Sequence, residues 1–238
     1  MPERRRANEN TESVDNYLKA IFSLGGGDRE GVGTRRVTSS ALAERLGVAP
    51  ASVTNMLQKL AGAADSLVIY ERHRGVELSP AGKRRALEIV RHHRLIETFL
   101  YEILDYPIDE VHEEAERLEH FISERFEERI AAKLGHPKTD PHGHSIPTLE
   151  GVMAARASIA LSEVARDGTF VIHSVSDRDA GSLRRIEAYG IVPGEELRVK
   201  KDGAKSGYSV SVGSSDEAFD LSAEMAGDVR VLEEEESE

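Results

Sequence analysis

The sequence predicts a mainly α-helical protein that ends in a small all-β domain. Three observations carry this. Apolar residues recur at helical spacing between Val14 and Leu134, the runs after Leu161 become short and β-rich, and the first part of the chain reads as helix, turn, helix, hairpin. At 238 residues, and with roughly 100–200 residues per domain, two or three domains are expected. Hydrophobic residues at 39% and charged residues at 31% exclude a wholly disordered chain. No apolar run approaches the ~18 residues of a membrane span, so no membrane partner is expected. The basic start Met1-Pro2-Glu3-Arg4-Arg5-Arg6 leads into no hydrophobic stretch, which argues against a secretory signal and for a cytoplasmic location. With 0 Cys, disulfides, thiol nucleophiles and iron–sulfur clusters are excluded, and any metal must be held by His, carboxylate, amide or Met.

Taken in order, Val14, Leu18, Ile21 and Phe22 form one stripe of a first helix, with Thr11 or Ser13 as its cap and Gly25-Gly26-Gly27 as its end. The Gly- and Arg-rich stretch to Val37 reads as a loop. A second helix begins at Thr38-Ser39-Ser40, with Ser39 or Ser40 as possible starts, and stops at Gly47. Pro50 opens a third, with Val53, Met56, Leu57 and Leu60 inward. Leu67–Glu71 and Gly75–Leu78 form a hairpin with the basic tip Arg72-His73-Arg74. Long helices are predicted from Pro80 to about Leu104 and from Ile108 to about Leu134. Residues 135–151, with three Pro, three His and three Gly, read as a linker. Short β runs at 170–172, 196–200, 208–212, 218–221 and 229–232 predict a small barrel, and 233–238 reads as a solvated acidic tail.

The net charge of −12 is unevenly placed. Residues 1–90 hold 14 Lys/Arg against 11 Asp/Glu (+3), and residues 91–238 hold 17 against 32 (−15). A basic first part and an acidic remainder suit contact with phosphate at one end and with cations at the other. The helix-turn-helix and basic hairpin have the order of a winged helix-turn-helix. In that arrangement Ser52, Thr54, Asn55 and Gln58 would face base edges in the major groove, with Lys59 near the backbone, and Arg72 and Arg74 would reach phosphate or the minor groove. The plainer reading is a three-helix bundle with solvated polar residues.

His93 and Glu97 are four apart on one predicted helix, and His112, Glu116, Glu119 and His120 share one side of the next. Imidazoles and carboxylates converging there suit a divalent first-row metal with N/O ligands. The plainer reading is a solvated acidic face, although such faces more commonly carry Glu–Lys pairs.

Several stretches in this order resemble the diphtheria toxin repressor family of metal-dependent transcriptional regulators, and its manganese-responsive branch in particular. They are Tyr17–Ile21, Ala43–Leu46 followed by Ser52-Val53-Thr54, Tyr70–Gly75, Leu78–Gly82, His92–Glu97, Val111-His112 to Glu119-His120, and Pro141–Pro147. The resemblance spans most of the chain from Val14 to Leu232. It implies a homodimer with a winged helix-turn-helix over 1–79, a helical dimerisation and metal-binding domain with linker over 80–151, and an SH3-like barrel with acidic tail over 152–238. It divides the His/Glu residues into an ancillary site (His93, Glu97, His112) and a primary site (Glu116, Glu119, His120, completed by Asn16). Asp177 and Asp179 are candidate barrel ligands, whereas His142 and His144 read as loop residues.

Relatives usually offer Met or Asp where this chain has Asn16, and the manganese branch can carry an acidic residue where it has Lys19. Asp15 or Glu12 are alternatives at that end of the site. Iron-type members tend to carry Cys at the position of Glu116, so a carboxylate there implies Mn(II), with Fe(II) as the alternative. The implied function is a non-enzymatic repressor that binds palindromic double-stranded operator DNA and controls metal uptake. Two other readings stand beside it: a winged-helix repressor of an organic effector, and a di-metal carboxylate enzyme. The second of these lacks the paired Glu-x-x-His motifs of helical bundles.

Overall fold

The computed structural model describes residues 2–27, 35–154, 157–201, 207–215 and 217–232, with the side chains of 2–10 and 201 left outside that description. The acidic tail and most of the predicted Gly/Arg loop lie outside the described residues. The chain forms two compact units, residues 1–93, 117–127 and 146–155 in the first and 94–116, 128–145 and 156–238 in the second.

The first unit begins with α1 (Pro2–Leu24). This helix starts well before the predicted Thr11 or Ser13 cap. Residues 2–10 are mostly good helix formers with no apolar stripe, so they extend a helix that hydrophobic periodicity cannot reveal. Helix α2 (Ser39–Leu46) is capped by Thr38, the first residue of the predicted start, whose Oγ1 accepts from Ala41 N at 3.2 Å. It ends at Gly47 in the left-handed conformation. Helix α3 (Pro50–Ala61) begins at Pro50 as predicted. Strands β1 (Val68–Glu71) and β2 (Gly75–Leu78) pair antiparallel. Gly75 closes that hairpin at φ +93, and a Cβ there would lie 2.5 Å from the Val37 carbonyl oxygen, so only glycine fits. Leu18, Phe22, Leu42, Val53, Leu57 and Val76 fill one buried cluster under these elements.

Helix α4 (Pro80–Leu104) matches its predicted limits. The second long helix does not. Instead α5 (Ile108–Leu118) ends in a turn, with Phe121 N donating to Leu118 O at 2.9 Å, and α6 (Glu124–Lys133) restarts after Ser123. Ser123 Oγ accepts from Phe126 N at 3.3 Å, and Glu124 and Glu127 lie in the first turn, where carboxylates complement the helix dipole. The single helical face predicted for His112, Glu116, Glu119 and His120 therefore stops at Leu118.

In the second unit, β3 (Ser158–Ala160), a 3₁₀ turn (Leu161–Glu163), β4 (Gly168–Val175), β5 (Glu196–Lys201), β6 (Gly207–Val212), β7 (Phe219–Ser222) and β8 (Val229–Leu232) form one antiparallel sheet in the order β3-β8-β4-β5-β6-β7. Alternate residues Phe170, Ile172, Leu197, Val199, Val210, Val229 and Val231 face its core. Helices α7 (Ala180–Ala188) and α8 (Ala223–Asp228), which the sequence did not predict, add Leu183, Ile186 and Met225 to it. Ile108, the first residue of α5, is buried in the same cluster.

Residues 135–145 hold no helix or strand, yet they do not behave as a loose linker. Thr139 and Ser145 form an isolated β-bridge, and Val175 N donates to His142 O at 2.9 Å. Gly143 at φ +90 passes so close to β4 that a Cβ would meet the His173 carbonyl oxygen at 2.2 Å. Pro and Gly here shape a packed loop.

Within the first unit, Glu127 is buried against Arg91 Nε at 2.5 Å and His92 Nε2 at 2.9 Å. Burial pushes its carboxyl up, but the His92 and Arg91 partners outweigh that and hold it below the ordinary Glu range. A carboxylate with a lowered folded pKa contributes stability above its unfolded pKa and loses it as pH falls. Glu127→Gln is expected to cost about 3 kcal/mol in urea unfolding at pH 7, the scale of a broken buried pair. The difference from the unsubstituted chain should shrink as pH is lowered through the carboxylate range.

Candidate metal centre and nucleic-acid interface

The first unit gathers donors at the turn after α5. Glu119 is buried, and both of its oxygens accept from Lys19 Nζ, at 2.8 and 3.1 Å. His93 Nδ1 lies 2.6 Å from Glu119 Oε2 and 3.0 Å from Lys19 Nζ. Burial alone would raise the Glu119 carboxyl. His93 and Lys19 outweigh it, so the group stays below the usual range as a carboxylate. The adjacent His120 places Nε2 3.0 Å from Asn16 Oδ1 on α1 and 3.3 Å from Glu119 Oε1, and its Nδ1 lies 3.6 Å from Asp15 Oδ2. Among the described residues that buried Nδ1 has no hydrogen-bond partner. Asp15 is itself bound by Arg85 Nε at 2.6 Å.

The predicted primary residues Asn16, Glu119 and His120 thus come together, joined by His93, which the resemblance assigns to the ancillary set. Glu116 belongs to the second unit. Its side chain is 48% exposed and sits 3.6 Å from His112 Nε2.

The second unit gathers another set. His112 Nδ1 lies 3.2 Å from Glu97 Oε1 and 3.3 Å from Asp177 Oδ2. Burial lowers the His112 pKa, but the two carboxylates lift it to about 10, and His112 holds Asp177 well below its ordinary range against burial. Glu97, His142 and Asp177 each offer a ligand atom within 4.8 Å of the others, and so do Asp140, His142 and His144. Asp140 Oδ1 accepts from the backbone N–H of both His142 and His144 at 2.9 Å, which fixes the loop. Asp140 Oδ2 and His142 Nδ1, both buried, have no hydrogen-bond partner among the described residues. Asp140 Oδ2 nevertheless lies 3.3 Å from His144 Nδ1 and 3.5 Å from Arg94 Nε, and His142 Nδ1 lies 3.8 Å from Glu97 Oε2, so each faces a group of complementary charge.

Sequence reasoning set His142 and His144 aside and did not consider Asp140. Three donors within five residues, Asp140-Pro141-His142-Gly143-His144, was the available signal. Asp179 serves as the N-cap of α7, accepting from Ser182 N at 2.6 Å.

Also in the first unit, Ser52, Asn55, Gln58 and Lys59 are exposed on α3. Thr54 is half-buried and donates its hydroxyl back to Pro50 O at 3.1 Å. A cavity of about 520 Å³ between α3 and the hairpin is lined by Thr38, Thr54, Gln58, Tyr70 and Arg72, among others. Arg72 is exposed, while Arg74, 78% exposed, lies 3.3 Å from Glu71.

Comparison with known proteins agrees with these features. Residues 9–76 match the family described as iron dependent repressor, N-terminal DNA binding domain. Residues 79–148 match iron dependent repressor, metal binding and dimerisation domain, and residues 159–233 match the FeoA domain. The chain belongs to the DtxR/IdeR family of dimeric, metal-dependent transcriptional repressors, and is not an enzyme. It is 30% identical to the iron-dependent repressor IdeR of Mycobacterium leprae over 236 residues, 94% of this chain and 98% of that one. It is also 30% identical to the diphtheria toxin repressor of Corynebacterium diphtheriae over 165 residues, 69% of this chain and 67% of that one. Among solved structures, a manganese-dependent transcriptional repressor in complex with manganese superposes with a TM-score of 0.82 at 37% identity, covering 92% of this chain and 99% of that one. The repressor ScaR with bound Zn2+ gives 0.73 at 31% identity, over 92% and 98% of the two chains. Among the described residues no helix is long and apolar enough to cross a membrane.

The exposed face of α3 predicts a split between readout and positioning. Asn55→Ala should reduce discrimination between a duplex selected from a random pool and a scrambled one by about 1–3 kcal/mol. Arg72→Ala should weaken both about equally and lower the salt slope by about 1. Anisotropy titrations at several salt concentrations check both. Equal losses on both duplexes for Asn55→Ala would remove that residue from base readout.

Proposed function

We propose that this chain is a cytoplasmic, Mn(II)-activated repressor, with Fe(II) as the alternative ion, that binds a palindromic operator as a homodimer and controls metal uptake. The observation that carries it is the donor chemistry at the turn after α5: carboxylate, imidazole and amide oxygen, in a chain with 0 Cys. Such hard and borderline donors suit Mn(II) better than the softer metals. The solved manganese-dependent relative supports the same choice. Domains are proposed at 1–79, 80–151 and 152–238.

Asn16, Glu116, Glu119 and His120 are the proposed primary ligands. His93, Glu97 and His112 are the ancillary ones, with Asp177 from the β domain; Asp179 is a weaker candidate because it already caps α7. Mn(II), when bound, supplies a divalent charge that these donors can share. Asn16 on α1 and the Glu119-His120 turn then hold one another, and the DNA-binding domain keeps a fixed place on the dimer. The two α3 helices thereby keep the spacing that successive major-groove half-sites require. Without that tie the competent arrangement is only part of the population, and apparent affinity falls by that fraction.

The test is anisotropy of a duplex selected from a random pool, at fixed salt, with and without Mn(II). A rise in affinity of about 5–150-fold with Mn(II) is expected, the usual range of allosteric coupling. His120→Ala should abolish the rise and leave a folded dimer. Tight metal-free binding that Mn(II) does not change would favour the organic-effector reading.

A further inference from the structure

The proposed use of the centre leaves Lys19 unexplained. From α1 its ammonium reaches Glu119 Oε2 at 2.8 Å, Glu119 Oε1 at 3.1 Å and His93 Nδ1 at 3.0 Å. Its side chain is only 17% exposed, and that of Glu119 1%. One nitrogen therefore donates to both oxygens of a buried carboxylate, beside an imidazole nitrogen that lies 2.6 Å from the same carboxylate. An ammonium has three donors and no acceptor, so the lone pairs it draws on are those of the Glu119 carboxylate. A surface salt bridge would be screened and weak, whereas this pair lies where charge is poorly screened.

The same Glu119 oxygens and the same side of α1, where Asn16 meets His120 at 3.0 Å, are those a divalent ion would need. A divalent ion on the same carboxylate would lie close to the Lys19 ammonium and be repelled by its charge. Resting on the site proposed above, we infer that Lys19 is a resident cation of the primary centre. Its ammonium holds Glu119 in the metal-free protein and must withdraw before a divalent ion is held there, so residue 19 sets the metal concentration at which the repressor responds. The Lys stem is long and flexible and α1 is partly open to solvent at this point, so the ammonium can move to water.

The experiment is calorimetric titration of the full-length chain with Mn(II), together with metal-free melting, for the unsubstituted protein, Lys19→Met, Lys19→Arg and His120→Ala. The transition that His120→Ala abolishes identifies the primary centre, and only that one is compared. Lys19→Met should tighten it about tenfold or more, because a competing charge is gone. The same variant should melt lower without metal and gain more from Mn(II), because Glu119 is left buried without its cation. Lys19→Arg keeps the charge and should stay within about threefold of the unsubstituted chain. If Lys19→Met does not fold, Lys19→Gln carries the test with the same expectation. Unchanged or weaker Mn(II) binding in the neutral variants, with His120→Ala still losing it, would reduce Lys19 to a structural contact and overturn the inference. Equal tightening in Lys19→Arg would overturn its basis in charge. Mn(II) binding unaffected by His120→Ala would overturn the site, and the inference with it.

Discussion

A buried carboxylate has to be given positive charge, and at the candidate centre Glu119 is where this chain meets that requirement. Its side chain is 1% exposed at the turn where α5 has ended and α6 has not begun. Taking such a group out of water costs several kcal/mol unless it is paired and hydrogen-bonded. Lys19, His93 and the adjacent His120 answer that cost from α1, from α4 and from the turn itself. Glu119 lies in the turn between α5 and α6 and there meets Lys19 of α1.

The elements with strong local signals were legible in the sequence. Pro50 opens α3 and Pro80 opens α4 where predicted, the wing hairpin closes at Gly75, and β8 spans Val229–Leu232 as read. Apolar spacing identified Val14, Leu18, Ile21 and Phe22 as one buried stripe. The break between α5 and α6 was missed because apolar spacing continues through Ile122, and the cap at Ser123 was not weighed against it. The N-terminal extension of α1 was missed for the opposite reason, since a helix without an apolar stripe leaves no periodic signal.

The site was half legible. Residue type and helical spacing singled out His93, Glu97, His112, Glu119 and His120, and the structure places each of them among other ligand-type side chains. What spacing could not supply is partners distant in sequence. Lys19 and Glu119 are 100 residues apart, and Asp177 reaches His112 from the loop after β4. Residues 135–151 misled for a related reason: Pro, His and Gly are common in linkers, but here Asp140 Oδ1 accepts two backbone N–H groups and Gly143 lets the loop pass against β4. A packed loop and a linker have the same composition and differ only in their nonlocal partners.

The central claim is that the Glu119-His120 turn holds the activating ion and that α1 closes on it. Anomalous diffraction at the manganese edge, from crystals of the full-length chain grown with Mn(II), tests this most directly. The account predicts a peak within coordination distance of Glu119, His120 and Asn16, with the Lys19 ammonium withdrawn from the carboxylate. A Mn(II)-saturated structure with no peak at Glu119, or with Lys19 still bound to both of its oxygens, would contradict it.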